Sequence, residues 1–132
     1  MPHITLDYSA NMEDRTDLAG LCEALRRTAS ETGVFPLAGI RVRAMRADHV
    51  AMADGDTKHG YVDVSVRLRA GRDLDTRKAA VDALFETARS FLEPAMERHS
   101  IALSMEMRDI DPDLSPKTGT IRDHMAQAKA HD

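Results

Sequence analysis

Apolar residues recur at every second position in four short stretches of the chain and at every third or fourth position in two longer ones. In His3-Ile4-Thr5-Leu6-Asp7-Tyr8 the residues Ile4, Leu6 and Tyr8 share one side, as in a strand with one buried face. Leu18, Leu21, Cys22, Leu25 and Ala29 form a stripe at helical spacing. Asn11 or a nearby acidic residue is placed to cap that helix, and Gly33 suits the left-handed residue that ends it. A second strand alternates Ile40, Val42 and Ala44 with Arg41, Arg43 and Met45. After a turn at Ala53-Asp54-Gly55-Asp56, a third strand sets Val62, Val64, Val66 and Leu68 against Asp63, Ser65, Arg67 and Arg69. Gly71 breaks it. Asp73 then caps a second helix, whose predicted stripe is Val81, Leu84, Phe85, Ala88 and Leu92. Pro94, which lacks a donor and crowds the preceding turn, is expected to kink or end that helix. Ile101, Leu103, Met105 and Met107 mark a fourth strand.

The second helical stripe repeats the spacing of the first, moved along the chain from Leu18 to Val81. Two strand-helix-strand units of similar length predict an α+β fold, in which one four-stranded mixed sheet carries both helices on one face. The opposite sheet face, with Thr5, Ser65 and Ser104 among Arg and Met, is too mixed for a dry core and too regular for a loop. Packing against other subunits accounts for such a face. The segment from Asp111 contains Pro112 and Pro116 and then a short helical pattern around Ile121 and Met125, expected to be an arm lying on a neighbouring subunit. The chain of 132 residues therefore reads as a single domain, with a core over about 2–110 and a C-terminal arm over about 111–132.

Composition narrows the partners. With no Trp, 2 Tyr and 3 Phe, the core is mostly aliphatic and modest, so association is a natural way to bury more surface. A net charge of -4 gives no general attraction to nucleic acid or an anionic membrane, so an anionic ligand requires a local arginine cluster. Cys22 is the single cysteine, which rules out an intrachain disulfide and fits a cytoplasmic protein. No apolar run is long enough to predict a membrane span. The six histidines, His3, His49, His59, His99, His124 and His131, lack paired ligand spacing, which argues against a metal site. Ser9 and Ser65 have no recognisable base and orienting acid, and Gly71-Arg72 is not a phosphate loop.

Met1-Pro2-His3 leading straight into a strand resembles the tautomerase superfamily, whose members use an amino-terminal proline as base. Thr32-Gly33-Val34-Phe35-Pro36-Leu37-Ala38-Gly39-Ile40-Arg41-Val42-Arg43, Met52-Ala53-Asp54-Gly55 and Gly71-Arg72-Asp73-Leu74-Asp75-Thr76-Arg77 narrow the likeness to the 5-carboxymethyl-2-hydroxymuconate isomerase family, from Pro2 to about Asp111. The resemblance implies a homotrimer with sites at subunit boundaries. It also implies isomerisation of a muconate-type dienol in homoprotocatechuate breakdown, with no metal or organic cofactor. Pro2, Arg41 and Arg72 match the positions carried over from the family.

These residue types suit that chemistry. A terminal amine titrates close to neutral pH, as a group that both accepts and returns a proton should. A substrate with several carboxylates calls for the planar, permanently charged fork of arginine. Arg72 is expected to hold one carboxylate, assisted by the helix start at Asp73, with Arg41 on the opposite carboxylate or on the developing dienolate, and the two roles are interchangeable at this level. His3 adjoins Pro2, and Arg43 shares a strand face with Arg41, so both are candidate pocket residues. Arg43, Arg67 and Arg77 also suit salt bridges or subunit contacts. Two alternatives stand beside the isomerase reading: a tautomerase for another unsaturated 2-oxo acid, and a trimeric binding or interaction protein that keeps the fold without this turnover.

Overall fold

In the computed structural model, which describes residues 1–131, the chain runs β1 (His3–Ser9), α1 (Leu18–Glu31), β2 (Arg41–Ala47), β3 (Gly60–Arg69), α2 (Leu74–Arg98), β4 (Ile101–Ile110) and α3 (Ile121–His131). The sheet order is β2-β1-β3-β4. Within each strand-helix-strand unit the strands are parallel, β1 with β2 and β3 with β4. The two units meet through the antiparallel β1–β3 pair, in which Ile4 faces Val66 and Leu6 faces Val64. Those side chains, with Tyr8, Val62 and Leu68, form the buried sheet face, covered by Leu18, Leu21, Leu25 and Ala29 of α1 and Leu84, Ala88 and Leu92 of α2. The sheet's other face carries the polar members of the alternation. There Tyr61 donates to Asp7 (2.7 Å), Ser104 donates to Asp63 (2.7 Å), and Met45 stays 59% exposed.

Of the two caps expected for α1 the acidic one holds: it is Asp17, whose carboxylate accepts from the Gly20 amide at 3.0 Å. Other local expectations are corrected. Asn11 instead lies in a short 3-10 turn and donates to the His59 carbonyl. Cys22 sits at the margin of the α1 stripe and is only partly buried. On α2 the buried line is Ala80, Leu84, Ala88, Leu92 and Ala95, while Phe85 is 37% exposed and Val81 half-buried. Alanines on the contact line let the helix approach the sheet closely, and the larger Phe85 is left outside it. Pro94 does not end α2, which continues to Arg98. Pro94 and Ser90 are both exposed, so the Ser90 carbonyl that loses its donor turns towards water.

The topology brings one end of the sheet to a focus. Parallel pairing puts the starts of β1 and β2 side by side, and antiparallel pairing brings the end of β3 beside the start of β1. The end of β4, parallel to β3, lies there too. The first residues, the turns before β2 and after β3, and the segment leaving β4 must all meet at that end. At the far end His59 lies between Ser100 (2.6 Å from Nδ1) and Asp54 (2.7 Å from Nε2), joining the β2–β3 loop to the start of β4.

Candidate active site

Pro2 is fully buried, immediately before β1. Its carbonyl accepts from the Arg41 amide at 3.2 Å, extending the β1–β2 ladder by one bond and fixing the proline ring relative to β2. Ahead of β2, a 3-10 turn over Leu37–Gly39 brings backbone against the first residue. A β-carbon on Gly39 would collide with the Met1 nitrogen and lie 3.0 Å from the Met1 carbonyl oxygen. With Met1 in place, this close approach leaves no room for a side chain at Gly39.

Met1 lines a cavity of about 540 Å³. Pro36, Ala38 and Gly39 wall it on one side; Arg41 enters from the start of β2, Arg69 from the end of β3 and Arg72 from the following turn. Lys117, Thr118, Gly119, Ile121, Arg122 and Asp123 close it from the C-terminal segment. Five cations thus face one carboxylate in a chain whose net charge is negative. Among the described residues, none of the five is within ion-pair distance of an acidic side chain. A site so charged attracts a compact polyanion.

Arg72 is held by the fold. It donates to the Val34 carbonyl at 2.6 Å and to the Arg69 carbonyl at 3.1 Å, which fixes the guanidinium between the end of α1 and the end of β3. The neighbouring start of α2 contributes less than the sequence led us to expect. Asp73 accepts from the Thr76 amide at 2.7 Å, so a protein carboxylate already occupies that helix end, and this bond holds the Asp73 carboxyl below its usual range. Arg72 itself, not the helix start, faces the cavity.

Electrostatics at the terminus follow from this arrangement. The Met1 amine lies below its ordinary value of 8.0, first because burial penalises the ammonium and then because Lys117, Arg41, Arg122 and Arg72 repel it. His3 is also lowered, by burial and then by Arg67, Arg41, Arg43 and the terminal amine.

Of the residues singled out from sequence, Arg41 and Arg72 line the cavity, while Pro2 is fully buried, next in the chain to the cavity-lining Met1, and does not itself line the cavity. His3 and Arg43 do not line it. They lie on the open sheet face, 3.4 Å apart between His3 Nδ1 and Arg43 Nη1; Arg43 shares the strand face of Arg41 but sits two residues further from the sheet end where the cavity lies. Arg77 pairs with Asp109 at 3.6 Å. Arg69, Lys117 and Arg122 were missed. Arg69 closes the polar alternation of β3, a signal that was present, whereas the tail cations carry no periodicity that would place them. The C-terminal segment was expected to lie on a neighbour, yet residues 117–123 lie against their own chain's cavity. It leaves β4 at the end of the sheet where the cavity opens. Among the described residues, no group of three or more His, Cys, Asp or Glu side chains is gathered as a metal ion would require.

The family model described as 5-carboxymethyl-2-hydroxymuconate isomerase matches residues 2–125. The chain is 36% identical over 121 residues to the 5-carboxymethyl-2-hydroxymuconate Delta-isomerase of Escherichia coli, covering 92% of this chain and 96% of that one. The crystal structure of a 5-carboxymethyl-2-hydroxymuconate isomerase from Deinococcus radiodurans R1 superimposes with a TM-score of 0.86 at 26% identity, covering 94% and 93% of the two chains. A structure described as a fused 4-OT wild-type symmetric trimer shares the fold at a TM-score of 0.61 and 20% identity, over 89% and 92% of the chains.

Proposed function

The chain belongs to the 5-carboxymethyl-2-hydroxymuconate isomerase family, and on that premise we propose that it converts this dienol to its conjugated 2-oxo isomer with the amino-terminal nitrogen of Pro2 as its base. The observation that carries the reading is Pro2, fully buried and preceded in the chain only by Met1, which itself lines a cavity rich in cations. Removal of Met1 frees the nitrogen and opens the space that Met1 fills. The amine then takes the proton from the enol oxygen. The O–H electron pair becomes the carbonyl, the double bonds move along the chain, and the far carbon takes the proton back from the same nitrogen. Oxidation state does not change, so the step calls for no redox group. Arg41 and Arg72 hold carboxylates and stabilise the dienolate, which is more negative at the reacting oxygen than the bound dienol. The reading puts the enzyme in the cytoplasm, in homoprotocatechuate breakdown, in line with a lone Cys22 and described helices too short or too polar to cross a membrane.

The test is ketonisation of 5-carboxymethyl-2-hydroxymuconate, followed in the ultraviolet across pH with protein freed of Met1. The base must be unprotonated, so kcat/KM should rise as pH rises through the amine's pKa and level off above it. Burial and the surrounding cations should act on a freed Pro2 amine as they do on the Met1 amine, so that limb should lie below the value of an amino-terminal proline free in water. Arg41→Met removes one repelling cation and should move the limb to higher pH. No turnover would remove the proposed activity, and a limb that does not move on Arg41→Met would remove the electrostatic account.

The same reading makes the protein a homotrimer. The open sheet face, regular yet bearing Met45 and the His3–Arg43 pair, supplies the surface that association would cover, and the fused 4-OT structure of the same fold is a trimer. Light scattering should give three times the 14.6 kDa of one chain. An active monomer at micromolar concentration would overturn the assembly.

A further inference from the structure

We propose that Lys117 and Arg122, carried by the C-terminal segment, form a third carboxylate-binding position that tunes the cavity to tricarboxylates over dicarboxylates. The inference rests on reading this cavity as the isomerase site. Its substrate class is implicit in the chemistry: a muconate has two carboxylates and the carboxymethyl group adds a third. Arg41 and Arg72 come from the folded core and provide for two. Lys117 and Arg122 come from outside the two strand-helix-strand units, yet they line the same cavity.

Three features favour a binding role for these two side chains. First, the path of the segment is built. Beyond β4, the Asp111 carboxylate accepts from the Asp113 amide at 2.9 Å and Ser115 donates to the Asp111 carbonyl at 2.6 Å, turning the chain across the sheet end. α3 then packs on the Leu37–Gly39 turn that walls the cavity, with Arg122 in its first turn. Second, the chain has 22 acidic residues, but among the described residues no ion pair or side-chain hydrogen bond engages Lys117 or Arg122. Asp123, the acidic side chain in the lining, pairs with neither. Third, Lys117 is the strongest of the charged groups acting on the Met1 amine, ahead of Arg41, and Arg122 acts ahead of Arg72. Both tail cations therefore project their field onto the reacting end of the cavity.

Lys117 is a flexible point charge and Arg122 a planar fork, and together they offer a carboxylate position beside Arg72, whose guanidinium is held by the Val34 and Arg69 carbonyls. Both are exposed at the cavity mouth, so replacing them leaves the core intact. Calorimetry on the full chain freed of Met1 tests the idea, using propane-1,2,3-tricarboxylate and glutarate as probes. Lys117→Met/Arg122→Met should weaken the tricarboxylate by about 10- to 100-fold and glutarate by less than about threefold. With substrate, at a pH on the plateau where the base is unprotonated in both proteins, the same double variant should raise KM while kcat stays within about threefold. Equal losses for both probes, or no tricarboxylate binding to the unaltered protein, would overturn the subsite. If the binding contrast holds in a protein without isomerase turnover, the proposed reaction fails and the subsite stands.

Discussion

Protein verified by intact mass to retain Met1 is expected to ketonise 5-carboxymethyl-2-hydroxymuconate at least about a hundredfold more slowly than protein freed of it, the scale on which a positioned acid–base group contributes. With Met1 in place the Pro2 nitrogen is an amide, its lone pair delocalised into the Met1 carbonyl, and it cannot accept a proton. Met1 also fills space beside Gly39 that a substrate would need. The Met1 amine does not substitute for it, although burial and cations lower its pKa. It lies one residue, about 3.8 Å of chain, away from the nitrogen that β1–β2 pairing holds in position, and a general base works only within hydrogen-bond reach of the proton it moves. Methionine-retaining protein can be produced with methionine aminopeptidase inhibited and compared with processed protein from the same batch. Equal rates would end the terminal-amine mechanism. Pro2→Ala, which after processing leaves a primary amine at the same place, should lose much less than Met1 retention does.

Arg72→Ala should cost about 2 to 5 kcal/mol in kcat/KM, as loss of one partner from a desolvated charge pair often does. The expectation is strong because Arg72 is preorganised: its bonds to the Val34 and Arg69 carbonyls hold the guanidinium before any ligand arrives. Those bonds also give the variant a structural component, so a denaturation curve must be taken beside the kinetics. Arg72→Lys separates the two. It keeps the charge but cannot donate to two carbonyls and a carboxylate in one plane, and should recover only part of the loss. Arg26, exposed and paired with Glu23 at 2.5 Å on α1, is the control. Its replacement should leave kcat/KM within about twofold. Unchanged efficiency in folded Arg72→Ala protein would exclude Arg72 from the site.

Much of the framework was legible in the chain because its determinants are local. Alternation at Ile4, Leu6 and Tyr8, and again from Val62 to Leu68, predicts β1 and β3 and the face each buries. Gly33 at φ 71° ends α1 in the left-handed region as its position suggested. Asp73 caps α2. These features depend on neighbours within about one helical turn or one pleat. The errors are local signals outweighed by packing: Phe85 fits the helical period but is displaced by alanines that allow closer contact with the sheet, and Pro94 is tolerated because its side of α2 faces water.

The site was legible only in part, for the same reason. Pro2, Arg41 and Arg72 stand out in the sequence through their resemblance to a family, since no periodicity relates a terminal proline to arginines so far along the chain. They converge because β1 pairs in parallel with β2 and antiparallel with β3, which turns two strand starts and one strand end towards a single edge. The same pairing leaves His3 and Arg43 on the open face. It also delivers Lys117 and Arg122 to the cavity, because β4 runs parallel to β3 and releases the C-terminal segment there. Local residue order therefore determined the elements and their buried faces. The meeting of the chain's first residue with cations from β2, from the end of β3 and the turn after it, and from the C-terminal segment was decided by strand pairing, a non-local choice that no short window of sequence contains.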